Sequence, residues 1–346
     1  MIALQVAGNS YINFTKVEVI LSMDSMAGAF SFSAVDVEGF GLPFKGGEAC
    51  KITVNDIIVI DGFIDSIDVE YSANFHSIVI QGRDKTSDII DSTIENTKLG
   101  GASTLKQVIE KVVSNLGADI TVSDSADLKP FNQAEDKLSA RVGQNAFDFL
   151  EKLARKKAVL LASDAGNINI VKPSTELLKL TIKNVIGASD NNVKSASYSN
   201  DLTGRFNKYK ARSQVNMVAS NQSGEIGTDQ LVDQSGEYFD SEIRATRQFI
   251  LQSENTSAAE KARLRAEWES KIRKTRSKTY GVVVIGHANI IGIWRPNTLI
   301  NVIDDFAGLS ENMLINTVTF KVDVESGTTT ELSLVDKEAY NVGSSN

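Results

Sequence analysis

Residues 50–71, CKITVNDIIVIDGFIDSIDVEY, alternate apolar and polar side chains, with isoleucine and valine recurring at every second position over much of their length. Side chains of a strand point alternately to the two faces of a sheet, so this period of two predicts half-buried β structure. The same rhythm runs from Ile2 to Ile80: KVEVILSMD at 16–24, AFSFSAVDV at 29–37 and FHSIVIQG at 75–82. MDSMAG at 23–28 supplies small and polar turn residues between two of these runs. Strands joined by short turns predict an antiparallel sheet closing into a small barrel.

The period then changes. Leu105, Val108, Ile109, Val112 and Leu116 form a stripe at helical spacing, with Ser103 as the expected N-cap and Gly117 as the stop. Ala146, Phe147, Leu150 and Leu153 mark a second amphipathic helix, and AVLLASDAGNINIV at 158–171 reads as a hairpin turning at 164–167. Between about 175 and 240 the signals weaken to short β-like pieces such as RFNKYKARSQV. The segment SNQSGEIGTDQLVDQSGE at 220–237 is expected to be a mobile loop. A helix follows, opened by a capping box from Ser257 to Glu260, with Leu264, Trp268 and Ile272 one turn apart. The remaining segments TYGVVVIGH, TLINVIDD, NMLINTVTFKV and TTTELSLV return to β.

Two regions echo each other. Ile52, Val54 and Asp56 lead to Phe63 and Ile64, then Val69, then Ile78 and Ile80. Ile300, Val302 and Asp304 lead to Leu314 and Ile315, then Phe320, then Leu332 and Leu334. Any two antiparallel meanders share alternation, so the echo admits two readings, a common meander or the duplication of one barrel. Duplication has a consequence for symmetry: three such chains around an axis present six similar units.

A chain of 346 residues, 42% hydrophobic and 23% charged, has the size for two or three soluble domains. Its net charge of −8, concentrated in the first 100 residues, makes free DNA and anionic membranes poor partners for the surface as a whole. The single cysteine, Cys50, excludes an internal disulfide and a cysteine-rich metal cluster. The N-terminal residues lack the basic and apolar regions of a signal peptide. No apolar run approaches the roughly 20 residues needed to span a bilayer, so no membrane insertion is expected.

Three carboxylates, Asp84, Asp88 and Asp91, follow the strand at 75–82 and are the best lead to chemistry. On a helix, 84 and 88 share a face, as do 88 and 91. Yet hard-cation sites recruit oxygens from separated elements, and Arg83 and Lys85 compete for the same groups. The alternative has Asp84 capping the next turn and Asp88 exposed in its first turn, where the helix dipole favours an anion. The two histidines, His76 in an alternating strand and His287 in a GHAN turn, are expected on the surface or in hydrogen bonds. No nucleophile elbow, phosphate loop, dinucleotide fingerprint or zinc-protease motif is present. Hence no catalytic, cofactor-binding or metal residue is assigned. Residues 260–278 carry eight Lys/Arg against three Glu, with Glu267 facing Lys271 and Glu269 facing Arg273. This helix reads as a solvated helix over a buried Trp268, as a basic face that docks on an acidic surface such as the front of a neighbouring copy, or as a nucleic-acid contact, for which interleaved aromatics are missing.

GRDKTSDIIDSTI at 82–94, AFDFLEKLARKKAVLLASDAGNINIV at 146–171 and RAEWESKIRKTRSKTYGVVVIGH at 265–287 resemble the Mu-like baseplate hub proteins of contractile-tailed phages. The similarity is greatest at GIWRPNTLINVIDDFAGLSENMLINTVTF, 292–320, and the GTTTELSLV that follows. His287 stands where an aromatic residue is expected, and no appended cell-wall-binding module is evident. The resemblance implies a structural virion protein of the tail baseplate, made and assembled in the host cytoplasm and similar to the T-even hub. It implies a homotrimeric ring of two related barrels per chain. The expected partners are a central spike, the tail tube or its initiator, other baseplate proteins, and DNA passing through without specific binding.

The expected fold class is therefore α+β, mainly antiparallel β: two related small β-barrel domains plus an α+β module and a helical insertion. The expected domains are a first barrel at 1–95, the α+β module at 96–174 and a second barrel at 175–340, with the loop and helical insertion at about 215–278 and a tail at 341–346. Two further function classes stay open at this stage: a tail-associated cell-wall hydrolase using a carboxylate pair, and a β-rich adhesin binding a surface sugar.

Overall fold

The computed structural model describes residues 1–35, 44–73, 75–95, 104–126, 128–131, 140–217, 230–252 and 259–337. Ser103, Ser257, Pro43, residues 220–229 of the expected loop and the tail at 341–346 lie outside the described residues. The chain divides into two compact units, Met1–Tyr198 with Tyr280–Lys337, and Ser199–Thr279.

The larger unit begins with seven strands: β1 (Ile2–Val6), β2 (Asn9–Tyr11), β3 (Lys16–Ser22), β4 (Ala29–Val35), β5 (Ala49–Val54), β6 (Ile57–Ser72) and β7 (Phe75–Asp84). The α+β module follows, with α1 (Ser87–Asp91), β8 (Thr93–Ile94), α2 (Leu105–Leu116), β9 (Val122–Asp124), β10 (Gln144–Asn145), α3 (Ala146–Lys156), β11 (Leu160–Asp164) and β12 (Asn167–Val171). After β13 (Leu177–Asn184) and β14 (Val193–Asn200), the smaller unit holds β15 (Lys208–Met217), β16 (Gln230–Phe239), β17 (Gln248–Gln252) and α4 (Ala259–Ser277). The chain then returns to the larger unit through β18 (Lys278–Ile285), β19 (Ala288–Asn289), β20 (Gly292–Ile293), β21 (Thr298–Asp304), β22 (Leu309–Asp323) and β23 (Gly327–Asp336).

The architecture is mainly antiparallel β with few helices. Thirteen strands form one sheet whose main path runs β14-β18-β23-β22-β3-β4-β7-β6-β5-β1-β2, with β21 pairing β22 and β13 pairing β21. The two barrels expected from alternation are not closed among the described residues. Instead β22 pairs with β3, so the N-terminal and C-terminal halves share one hydrogen-bonded sheet and one apolar core. Alternation specifies which face of a strand is buried but not which strand lies beside it, and closure depends on the second property.

The strand order of the two halves is the same. β3-β4-β7-β6-β5-β1 in the first half matches β14-β18-β23-β22-β21-β13 in the second, and the matched strands occur in the same order along the chain. One pairing differs: β1 meets β5 antiparallel, whereas β13 meets β21 parallel. Both long strands carry a β-bulge at the matching place, between Ile64 and Ser66 in β6 and between Ile315 and Thr317 in β22. The bulged residues are Asp65 and Asn316, which agrees with the sequence echo at Phe63, Ile64 and Val69. In the flanking strands the echo is displaced by two residues: Ile80 matches Leu332, and Ile52 matches Val302. A slip of two leaves every side chain on its own face, so hydrophobic alternation cannot detect it.

In the module, α2 and α3 pack with β9, β11 and β12 around a separate apolar core. Thr104, one residue beyond the expected Ser103, is the N-cap of α2: its side chain and that of Gln107 form a reciprocal capping box. Gly117 closes the helix in the left-handed conformation, as its position predicts. On α3 the buried aromatic is Phe149 and not Phe147, because 146, 149, 150 and 153 track the 3.6-residue turn. The hairpin β11–β12 turns at Ala165 and Gly166, both at positive φ. A Cβ at Gly166 would stand 2.3 Å from the Asp61 carbonyl oxygen, so glycine there also lets the turn press against β6.

In the smaller unit, α4 packs on the three-stranded sheet β16-β15-β17. Residues 230–237, expected to be loop, are strand: β16 pairs residue by residue with β15. The buried face of α4 carries Ala262, Ala266 and Ser270, with Trp268 also buried, rather than the stripe Leu264, Trp268 and Ile272. Small residues win that face because the helix lies very close to β16, where a Cβ on Gly236 would fall 2.0 Å from the Arg263 backbone nitrogen.

Candidate functional site

The three carboxylates of the sequence lead do not converge. Asp84 is 1% exposed; one carboxylate oxygen accepts from the Gly28 N–H at 2.6 Å, and the other from the Thr86 N–H at 2.9 Å, with the Thr86 hydroxyl 2.5 Å away. Burial pushes its pKa up, while the bonds from Thr86, Ser163 and Gly28 act in the opposite direction. Asp91 is exposed and bound by Arg83 at 2.7 Å, and Arg83 also holds Asp65 at 2.7 Å. Asp88 is exposed in the first turn of α1. Lys85 reaches Asp61 at 3.6 Å. Asp84 thus ties the end of β7 to the turn before β4 and to the start of α1, and its neighbours form surface ion pairs. Among the described residues no group of three or more His, Cys, Asp or Glu side chains is placed to hold a metal ion.

The remaining chemical leads also resolve into structure. His287 is 3% exposed; its Nδ1 lies 3.3 Å from the Thr330 hydroxyl and its ring stands edge-on to Phe320. Burial, followed by the charge of the N-terminus, lowers its pKa to about 4, so the ring is neutral and fills the aromatic position. His76 is exposed and meets the ring of Tyr71 edge to face. The Cys50 thiol is buried and pushed up to about 12 by burial and by the nearby Asp61 and Asp65 charges, which leaves it unreactive. On α4 the expected pairs are present, Lys271 with Glu267 at 3.0 Å and Arg273 with Glu269 at 2.8 Å. Arg263 and Arg265 add further i, i+4 contacts to the same two glutamates. The basic excess of this helix is therefore partly neutralised along its own surface.

What the sheet does build is a seam. β22 and β3 run antiparallel in continuous register from Thr317 opposite Ser22 to Asp323 opposite Lys16. The Ser22 and Thr317 hydroxyls are 2.8 Å apart, and Asn316, at the bulge, donates to Asp24 at 2.7 Å. The backbone N–H of Met23 reaches the Asn316 carbonyl, and Lys321 bridges Glu331 at 2.7 Å and Glu18 at 3.8 Å. At the equivalent place in the first half, and among the described residues, residues 66–72 of β6 pair only with β7 and β14 pairs only with β18. Of this seam, the sequence marks Phe320 as a member of the echo but not as a seam residue, because seam membership follows from tertiary adjacency. The Asp65 and Asn316 bulges fall between the echoed residues, which do not mark them.

The sheet thus repeats its strand order and joins the two copies edge to edge. The N-terminal residues 1–84 match the family described as Mu phage baseplate assembly protein GpP-like, N-terminal, and residues 257–343 match Mu phage baseplate assembly protein GpP, fourth domain. The baseplate hub protein gp44 of Escherichia phage Mu is 24% identical over 98% of this chain and 88% of its own length. The 43 kDa tail protein of prophage MuSo2 from Shewanella oneidensis is 29% identical with a TM-score of 0.83, covering 98% of this chain and 99% of that one. An Escherichia coli type VI secretion component, described as similar to the T4 tail proteins gp27 and gp5, shares the fold. Its identity is 10% and its TM-score 0.56, over 96% of this chain and 76% of that one. The chain is a phage tail protein of the baseplate. It belongs to the Mu-like baseplate hub family, a family of structural proteins.

Proposed function

We propose that this hub works as a homotrimer, with two related β units per chain forming a ring of six similar units. The ring would seat the six-fold tail tube, or its initiator, on one side and the three-fold central spike on the other, with other baseplate proteins around it. DNA would pass through the channel without specific binding. Assembly takes place in the host cytoplasm, and the ring is retained in the virion. In this reading each unit is an incomplete barrel, the first at 1–95 and the second at 175–340. The α+β module at 96–174 lies between them in the sequence, and the insertion at about 215–278 interrupts the second.

The observation that carries the proposal is the repeated strand order with its shared bulge, since a doubled unit is what lets three chains meet a six-fold surface. The acidic excess supports a lumen that repels phosphates and lets DNA slide. The protein's task is geometric fit and no turnover is involved. Light scattering tests this directly: the expected species has three times the 37.5 kDa chain mass, alone or with spike protein. A monomer at high concentration in both conditions sinks the proposal. Clearing of a peptidoglycan overlay by the pure protein would favour the hydrolase reading instead; none is expected.

A further inference from the structure

The seam inside the chain shows what each repeat places beside its long strand. In the second half, the outer part of β22 is covered by β3 of the first half. In the first half, the matching part of β6 has no such neighbour among the described residues, and the strand matching β3, which is β14, lies at the end of the sheet path. Among the described residues each chain therefore carries one half-seam of each kind without its partner strand.

Burial follows the presence or absence of that neighbour. Counting from the bulges, Ile67, Val69 and Tyr71 match Val318, Phe320 and Val322. Val318 and Phe320 are both fully buried, whereas Val69 is 47% and Tyr71 75% exposed. On the other strand, Val17 and Val19 of β3 are buried, while seven of the eight residues of β14 are exposed, Tyr198 among them. Such open edges with apolar side chains are templates for pairing with another chain.

We propose that residues 66–72 of β6 in one copy pair antiparallel with β14 of the next copy, repeating between chains the β22–β3 seam within each chain. This rests on the trimer reading above and names the surface that would close it. Three head-to-tail contacts of this kind make a heterologous interface that closes as a ring. The register follows from the internal seam, where Lys321 faces Glu18. Glu70 matches Lys321. The Asp201 N–H bond to the Ser277 carbonyl sets Ser197 beside Gly281, and the Gly286 N–H bond to the Thr328 carbonyl sets Gly281 beside Ser333. Ser333 matches Gln81, which pairs with Ser31, and Ser31 pairs with Glu18, so Ser197 matches Glu18. Glu70 of one copy thus faces Ser197 of the next.

The test is oxidative crosslinking of the full chain carrying Glu70→Cys and Ser197→Cys in a Cys50→Ala background, at a concentration where light scattering reports the trimer. The expected result is a ladder ending in a covalent trimer, absent from either single-cysteine variant. Crosslinking through Ser195→Cys or Ser199→Cys in place of Ser197→Cys keeps the pairing and overturns the register. A trimer with no crosslink at any of the three positions overturns the inference and leaves the trimer reading standing. A bond within one chain overturns the inference as well. A monomer with and without spike overturns both. As a second measure, Val69→Lys with Tyr71→Lys places two charges on exposed positions. It is expected to weaken trimer association by roughly tenfold or more while the monomer's melting is unchanged; unchanged association overturns the proposal.

Discussion

The imidazole of His287 stands edge-on to the ring of Phe320, with centroids 5.5 Å apart and planes at 88°. This contact joins the turn after β18 to the strand that forms the internal seam, and it depends on a neutral ring.

The acid response of the larger unit follows from that neutrality. The folded pKa of His287 lies near 4, below the ordinary 6.5 of the unfolded chain. Between those values the unfolded chain binds the proton and the folded one does not, so stability falls as pH drops from about 6.5 to about 4. The effect is on the order of 3 kcal/mol at most. His287→Phe is expected to keep the packing and flatten that limb in urea titrations at pH 4 to 7; an unchanged pH slope would refute the assignment.

Asp84→Ala is expected to destabilise the larger unit by about 2–4 kcal/mol, because the Gly28 and Thr86 donors lose a buried acceptor. Asp91→Ala removes only an exposed ion pair with Arg83 and is expected to cost about 1 kcal/mol or less. Chemical denaturation of the two variants separates a structural joint from a surface pair. Equal effects would contradict it.

Gly236→Ala is expected to disrupt the smaller unit, since its Cβ would meet the Arg263 backbone at 2.0 Å and neither group is the end of a flexible side chain. Loss of protection at β15 and β16 in hydrogen exchange is the expected signature. Unchanged exchange there would show that α4 adjusts without cost.

Cys50 is expected to resist iodoacetamide at pH 8 in the folded protein and to react on unfolding, because burial and the Asp61 and Asp65 charges disfavour its thiolate. Rapid labelling of the native chain would place it in a different environment.

In the smaller unit, Glu242 is held down to about 2 by its bonds with Lys274 and Arg205. The stabilisation it gives is complete above the ordinary glutamate range and is lost as pH falls through that range toward 2. Glu242→Gln is expected to make α4 less sensitive to acid as followed by circular dichroism; an identical acid transition would count against the pairing.

Much of the local structure was legible from residues alone. The alternation at 50–71, the α2 stripe with its Gly117 stop and the turn at 164–167 are each encoded within a few positions, so local sterics and burial suffice to specify them. The errors are of another kind. Leu264 and Ile272 look like the packing face of α4, but the close sheet at Gly236 reserves that face for Ala262 and Ala266. The polar segment 230–237 lacks strand character by itself and becomes β16 through pairing with β15.

The chain's own residues determined that its sheets are mainly antiparallel and half-buried and that a compact helical module interrupts them, and they offered Asp84 as a cap between the two as one of two readings. They also carried the echo centred on Phe63, Ile64 and Val69. Only the tertiary structure decided that β22 lies beside β3, that the halves share one sheet, and that residues 66–72 and β14 have one pairing neighbour each among the described residues. The reason is physical: a side chain's preference for a face repeats every two residues and is read locally. The choice of a neighbouring strand is made by backbone groups that are alike in every residue, and it is settled only when distant segments meet.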